Sequence, residues 1–490
     1  MSMKKYLKKQ DCYYFIGVFI LLLIVHFPLL SNHILSADIL LNNQFYRGYA
    51  WEISLGRFGL YIIGLLKSFL SFPHIDLFLS FFLIIFILYF LFDLFEIKDL
   101  WKKILIGILV CISPFTSATL TFHYCSIAYL LSFLCGLLSV YSYNKISHKI
   151  LKWIIPILCI VISLSMYQAY LSLIVTIYVF YQIHLLLSKK INYKKTLLYL
   201  LPLFGGVLLY FIGMKLSLLV FHIDMASYSN ANEIGLSTLL SFPHKFVDCY
   251  RLFFEYFFTN DIMKNTFLYN HIFHGIILLL FMIQIIYQAI QKKIDKMSWI
   301  FLILGILLLP VFMNCVIFVI SDAKLQLLMS AAYLILPIYF ISSLDKKVFK
   351  IFVLITLVFL FRNYLIQDQA SYLSLENTYM KYHTVIESAI ITHINDQDTP
   401  YAIIGSMKDK NTIDSSKLHQ YTYGYICDYD LFWNEYGLRK LGFERFVYEE
   451  FGLEVSFVDE DTYQSLLEST HDELIYEEDG VIVINFSNYK

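Results

Sequence analysis

Residues 151–187 read L-K-W-I-I-P-I-L-C-I-V-I-S-L-S-M-Y-Q-A-Y-L-S-L-I-V-T-I-Y-V-F-Y-Q-I-H-L-L-L, and how this stretch is cut decides the fold. A helix rises ~1.5 Å per residue, so crossing a hydrocarbon core ~30 Å thick takes about 20 apolar residues. The stretch is too long for one crossing. Its polar break, Ser165-Met166-Tyr167-Gln168, supplies a tight return, giving spans at 152–166 and 168–187. Further apolar runs lie near 13–31, 76–95, 104–121, 125–143, 197–219, 271–290, 298–320, 325–343 and 349–366, which makes eleven.

The loops test that count, because cytoplasmic loops collect Lys and Arg. Lys4, Lys5, Lys8 and Lys9 precede a full-length apolar run with no small-residue cleavage site after it, so the first span reads as a retained anchor with its N-terminus inside. Alternate loops then carry Lys98, Lys102, Lys103; Lys145, Lys149, Lys152; Lys189, Lys190, Lys194, Lys195; Lys292, Lys293, Lys296; and Lys346, Lys347, Lys350. Twenty cations fall inside, against seven in the much longer outer loops. Ten spans would scramble the second half. Eleven place the segment from about 367 outside.

Composition agrees with a polytopic α-helical membrane protein. Only 15% of the 490 residues are charged, against roughly 25% in soluble domains, which excludes a single water-soluble globule. A net charge of −1 gives no reason to expect a nucleic-acid partner. The eight cysteines (Cys12, Cys111, Cys125, Cys135, Cys159, Cys249, Cys315, Cys427) form no CxxC pair and sit mostly in apolar runs, so neither a zinc site nor a disulfide framework is expected.

Two domains are expected: a multi-span body at 1–366 with long outer loops at 31–75 and 220–270, and an extracytoplasmic α/β domain at 367–490. In the first loop, 60–72 reads as an interfacial helix, and in the second the aromatic run C-Y-R-L-F-F-E-Y-F-F suits the membrane surface. In the last domain Y-M-K-Y-H-T-V-I-E-S-A-I-I-T-H-I has helical spacing. Y-A-I-I-G-S reads as a buried strand, and E-L-I-Y-E-E-D-G-V-I-V-I-N-F as a hairpin about Asp-Gly.

Residues that could carry chemistry gather in the first outer loop. Asp38 lies just beyond the first span, where partial desolvation would raise a carboxylate's proton affinity toward general-base use; equally, Ser36-Ala37-Asp38 could simply start a loop helix. Arg47, Trp51, Glu52 and Arg57 follow. Arginine binds phosphate oxygens as a fork and aromatic rings stack on sugar faces, while the same residues would also serve as an interface anchor. Lys215 is an intramembrane cation near the outer end of span seven, able to bind a phosphate or to snorkel. His271-x-x-His274 places two imidazoles on one helical face without a third ligand, a weak metal signal. Asp224, Glu233, Asp248 and Glu255 in the second loop suit acceptor positioning or plain solvation. Asp93 suits the inner interface.

The order Asp38, Arg47, Trp51, Gly56-Arg57, together with S-L-S-M-Y-Q-A-Y at 163–170, resembles the type II Gtr membrane glucosyltransferases, part of a wider GT-C-like superfamily of lipid-phosphate-sugar transferases in the bacterial cell envelope. The resemblance implies an enzyme of the cell membrane that takes a sugar, typically glucose, from a polyprenyl-phosphate donor. The acceptor would be a cell-surface or lipid-linked polysaccharide at the outer face. It implies Asp38 as base. Arg57, Lys324, Arg47 and Lys215 are then donor-phosphate ligands, and Trp51, Glu52, Tyr167 and Gln168 sugar- or acceptor-contacting groups. Relatives often show paired acids where this chain has Ala37-Asp38, which favours a single base over a metal bridge; no cofactor is certain from the sequence, and a divalent metal stays open without support from it. Ser321-Asp322-Ala323-Lys324 offers a lysine where an arginine is expected, a point charge without a fork. A polysaccharide polymerase or ligase would share the body. A lipid-linked-sugar flippase would need mid-membrane polar groups and repeats, which the sequence lacks.

Overall fold

The structure, a computed structural model, describes residues 9–31, 34–42, 44–191, 193–226, 241–259, 268–318, 325–344, 347–393, 399–407, 430–469 and 471–488. Helix α1 (Lys9–Val25) is followed by three short helices, α2 (Ala37–Asn42), α3 (Ala50–Ser54) and α4 (Phe58–Leu66). Then come α5 (Pro73–Leu94), α6 (Leu100–Cys111), α7 (Pro114–Thr121), α8 (His123–Lys145), α9 (Leu151–Met166), α10 (Leu171–Leu187), α11 (Tyr193–Leu198) and α12 (Leu200–Phe221). The series continues with α13 (Phe242–Phe258), α14 (Leu268–Gln291), α15 (Lys296–Leu307), α16 (Leu309–Met313), α17 (Ala331–Ser343) and the 46-residue α18 (Lys347–Thr392).

Among the described residues six helical segments are long and apolar enough to cross a membrane: Pro73–Leu94, His123–Lys145, Gln168–Leu187, Tyr193–Phe221, His271–Gln291 and Ile351–Thr392. Helices α6 and α7 make a seventh if their 46° bend lies within one span. The chain is a helical membrane protein. The other four expected spans fall on shorter apolar helices of 10–17 residues, below the length of a full crossing taken alone.

The chain divides into two compact units. The first holds Met1–His26 and Phe45–Leu365; the second holds Phe27–Gln44 and Ile366–Lys490. The grouping of residues 27–44 with the C-terminal part is a departure from the sequence reading, which leaves them in the body's loop.

In the first unit the break in the opening stretch falls at the polar tetrad. Helix α9 ends at Met166, Tyr167 is extended, and a 3₁₀ turn, Gln168–Tyr170, leads into α10. Several hydroxyls buried among the helices pair with one another or with backbone, which suits an apolar surrounding. Ser132 Oγ donates to Ser163 O and Ser163 Oγ to Ser132 O, both at 2.8 Å, and Ser80 pairs with Ser126 at 2.8 Å. The aromatic run C-Y-R-L-F-F-E-Y-F-F falls in α13, and its Cys249, Leu252, Phe253, Tyr256 and Phe257 are buried. Tyr256 packs on Tyr333 with ring centroids 4.1 Å apart, so one face of this helix belongs to the core.

The interfacial helix expected at 60–72 is shorter. Helix α4 stops at Leu66, and Ser68 and Phe69 take positive φ values of 54° and 60° to reverse the chain. Lys67 Nζ meets Asp76 Oδ2 at 2.6 Å, with Asp76 buried, and Tyr46 N donates to Phe69 O at 2.9 Å. These contacts hold a reversal that the hydrophobic pattern alone does not encode. Of the eight cysteines, the seven among the described residues are free thiols; Cys427 lies outside them.

The second unit contains α2, the end of α18, and β1 (Tyr401–Ile404), α19 (Tyr436–Phe451), α20 (Glu460–Glu468), β2 (Ile475–Glu478) and β3 (Val481–Asn485). The sheet order is β1-β3-β2, with β1 parallel and β2 antiparallel to β3. Every residue of β1 and β3 is buried, and the expected helix, strand and hairpin are all present. Asp479 and Gly480 have φ values of 52° and 76°, the pair of left-handed residues that a two-residue hairpin turn requires. Gly480→Val should strain that turn by about 1–2 kcal/mol, lowering the thermal stability of the C-terminal unit in the full chain, read by limited proteolysis; unchanged protease resistance would count against the turn assignment.

Candidate functional site

In the first unit the segment 45–72 folds back upon the break between α9 and α10. Phe45 pairs with Leu70 in an antiparallel bridge, and α3 and α4 fill the space between. Gly56 allows the turn joining them: its φ is +83°, and an added Cβ would lie 2.7 Å from Met214 Sδ, 2.8 Å from the Tyr210 hydroxyl and 3.0 Å from Gln168 Nε2. Only glycine fits there. Arg57 N donates to Glu52 O at 2.7 Å, which closes the turn and brings an acid and a base residue to one end of the loop.

Gln168 ties this loop to the helical body. Its Nε2 donates to the Leu55 carbonyl, and its Oε1 accepts from Arg57 Nε at 3.4 Å. The Tyr210 hydroxyl donates to Gly56 O at 3.2 Å from α12. The Arg57 guanidinium lies 5.1 Å from the centroid of the Tyr167 ring, which packs on Tyr129 at 4.7 Å. The Tyr46 hydroxyl donates to Glu52 Oε1 at 2.8 Å, and Tyr46 stacks obliquely on Tyr124 at 4.8 Å. The site is therefore a tyrosine-walled corner holding one carboxylate and one guanidinium.

Its electrostatics follow from the partial burial of both charges. Burial pushes the Glu52 carboxyl above its ordinary range, while the Arg57 charge and the Tyr46 hydrogen bond pull against that rise. Arg57 makes no ion pair among the described residues; its contacts are the Gln168 oxygen and aromatic faces. A guanidinium in that state keeps most of its five N–H donors for an anion.

The sequence-derived candidates divide into groups. Glu52, Arg57, Tyr167 and Gln168 come together. Trp51, on the same short helix, is 56% exposed, and Arg47 is exposed as well. Lys215 is exposed on α12, one residue beyond the Met214 that faces Gly56. Lys324 and Glu233 lie outside the described residues. Asp38 belongs to the second unit, in the first turn of α2, with partial exposure. Ala37 N, at the start of that helix, donates to Asp430 O at 2.8 Å.

The remaining candidates have structural partners. His274 pairs with the Tyr364 hydroxyl at 2.8 Å and His271 with Phe257 O at 3.1 Å. Among the described residues no group of three His, Cys, Asp or Glu side chains is placed to hold a metal ion. Asp248 and Glu255 flank Arg251 at 3.1 and 3.5 Å along α13, and Asp93 meets Lys145 at 3.1 Å. Tyr46, Tyr129 and Tyr210 were not singled out from sequence. Tyr46 adjoins Arg47 in a polar run and could have been, whereas Tyr129 and Tyr210 lie in apolar runs whose facing direction only packing reveals.

A sequence model of the family described as glucosyl transferase GtrII matches residues 27–363, more than half of the chain. No curated protein and no solved structure matches it.

Glu52 provides a test of the corner itself. A carboxyl whose folded-state proton affinity is raised adds stability below the ordinary carboxylate range and loses it as pH rises through its folded-state value. Glu52→Gln removes that titration. The thermal midpoint of the variant should gain on the native protein between pH 4 and pH 8; a difference constant across that window contradicts the burial argument.

Proposed function

The chain belongs to the glucosyl transferase GtrII family, and we propose that it transfers a sugar, glucose by family, from a polyprenyl-phosphate donor to a surface or lipid-linked glycan at the outer face of a bacterial cell membrane. Membership makes it a membrane glycosyltransferase, which needs a sugar donor and an acceptor. The proposed topology has eleven crossings, a cytoplasmic N-terminus and an extracytoplasmic C-terminal domain, supported by the distribution of lysines.

The observation that carries the donor assignment is Arg57. A partly buried guanidinium walled by tyrosines, which feels the Glu52 charge but makes no ion pair with a carboxylate among the described residues, keeps N–H donors for an anion. A donor phosphate would take the free fork, and Arg47, Lys215 and Lys324 are proposed as further cations toward it. Tyr167, Gln168, Glu52 and Trp51 would line the sugar. In the reaction the acceptor hydroxyl oxygen bonds to the sugar's anomeric carbon as the bond to phosphate breaks. The phosphate leaves with the electron pair, stabilised by the cations, and Asp38 takes the hydroxyl proton.

Transfer is measured with membranes containing the protein, a polyprenyl-phosphate glucose and acceptor glycan, reading released polyprenyl phosphate and product mass. Arg57→Ala should lower kcat/KM by about 10- to 100-fold, with Arg57→Lys between it and the native protein, because a point charge replaces the fork. Asp38→Asn should lower kcat by roughly 100-fold or more at unchanged protein level. Full activity in Arg57→Ala would remove the donor assignment, and full activity in Asp38→Asn the base. A product heavier by whole repeat units, not one hexose, would point to a polymerase or ligase.

A further inference from the structure

Helix α2 has six residues, too few to be stable by its own hydrogen bonds. It persists because the second unit grips both ends. At its start, Ala37 N donates to the Asp430 carbonyl at 2.8 Å. Asp430 is itself fixed, since its Oδ1 accepts from the Tyr382 hydroxyl at 2.6 Å and from Leu431 N at 2.8 Å. At its end, Arg445 of α19 donates through Nη1 to the Leu41 carbonyl, with the Leu40 carbonyl 3.5 Å away. The last carbonyls of a helix lack intrahelical donors, and a cation there also suits the helix dipole. Glu449, one turn further along α19, lies 3.9 Å from Arg445 Nε and steadies the guanidinium.

The face of α2 is set at the same time. Ala37, Ile39 and Leu40 are buried, while Asp38, Leu41 and Asn42 keep partial exposure, one stripe at helical spacing. Leu40 packs where Gly442 leaves room: a Cβ at Gly442 would already touch Phe432 at 3.3 Å and Leu40 at 3.9 Å. Asn42 Nδ2 returns to the Asp38 carbonyl at 2.8 Å. Rotation of α2 about its axis would bury Asp38 or expose Leu40.

We propose that Arg445 is a positioning residue for Asp38, and that the C-terminal unit contributes to transfer by clamping the first-loop helix with Asp38 on its exposed stripe. This rests on the reading of Asp38 as base. Arg445 touches no substrate in this role; it fixes the register and rotation of the helix that carries the acid. A displacement of about 1 Å at a reacting group costs roughly 100-fold in rate, so loss of the clamp registers in kcat.

The test compares Arg445→Ala, Arg445→Lys, Asp38→Asn and the double variant Asp38→Asn/Arg445→Ala in the full-length protein, each normalised to folded protein by limited proteolysis. Arg445→Ala should lower kcat by roughly ten- to a hundredfold while KM for the donor lipid holds within about twofold. Arg445→Lys should recover most of the loss, since an ammonium still caps the carbonyls. The double variant should be no slower than Asp38→Asn alone, because the clamp has nothing left to position. If Arg445→Ala does not accumulate, Arg445→Met, which keeps the length of the side chain but has no N–H donor, carries the same measurement. Unchanged kcat per folded molecule in Arg445→Ala, or multiplicative losses in the double variant, would overturn the proposal. Full activity in Asp38→Asn alone removes the base assignment, and the clamp's functional role with it; that result is readable without any Arg445 variant.

Discussion

One carboxamide holds the loop of the first unit to its helices. Gln168 stands where the chain leaves one apolar helix and enters the next, and its side chain donates to the Leu55 carbonyl while accepting from Arg57. Backbone groups beside a hydrocarbon phase cannot be left unpaired, so the break between α9 and α10 needs polar side chains, and the loop needs partners on the body. The same amide meets both demands. The tight Gly56 turn, the Tyr210 hydrogen bond and the placement of Arg57 over Tyr167 all follow from that attachment.

Within the helices polarity is conserved locally. Serines pair across α8 and α9, and Asn314 exchanges hydrogen bonds with Tyr333 while donating to Cys249 O and Pro310 O. Such closed sets let helices approach without leaving donors in an apolar interior. The corner holding Glu52 and Arg57 is different. Tyr46 satisfies the carboxylate at one oxygen and Tyr167 offers the guanidinium a ring face, so the Arg57 donors are fewer than half used by the contacts seen among the described residues.

Much of the architecture was legible in the sequence because membrane helices are governed by length and polarity, both visible in a row of letters. The return at Tyr167-Gln168 and the Asp-Gly hairpin carry local signals and were found where expected. The shortened helix ending at Leu66 was not, since it depends on Asp76 meeting Lys67 after the chain has reversed. Glu52, Arg57, Tyr167 and Gln168 could be named because polar residues stand out in an apolar chain, yet their meeting relies on a contact spanning 111 positions. Tyr129 and Tyr210 were hidden among similar residues. Asp38 was picked out by its place after the first span, but its grouping with α19 has no signature in either segment.

That grouping bears on how the protein comes into being. The carbonyl at Leu41 and the guanidinium that caps it are separated by 404 positions. A ribosome adds about 5–20 residues each second, so the early helix waits tens of seconds for the segment that completes it. By the end of that interval the apolar helices before Arg445 can be inserted while α2 still lacks its cap. A chain halted short of Arg445 would have its apolar helices in place and its first short helix still uncapped.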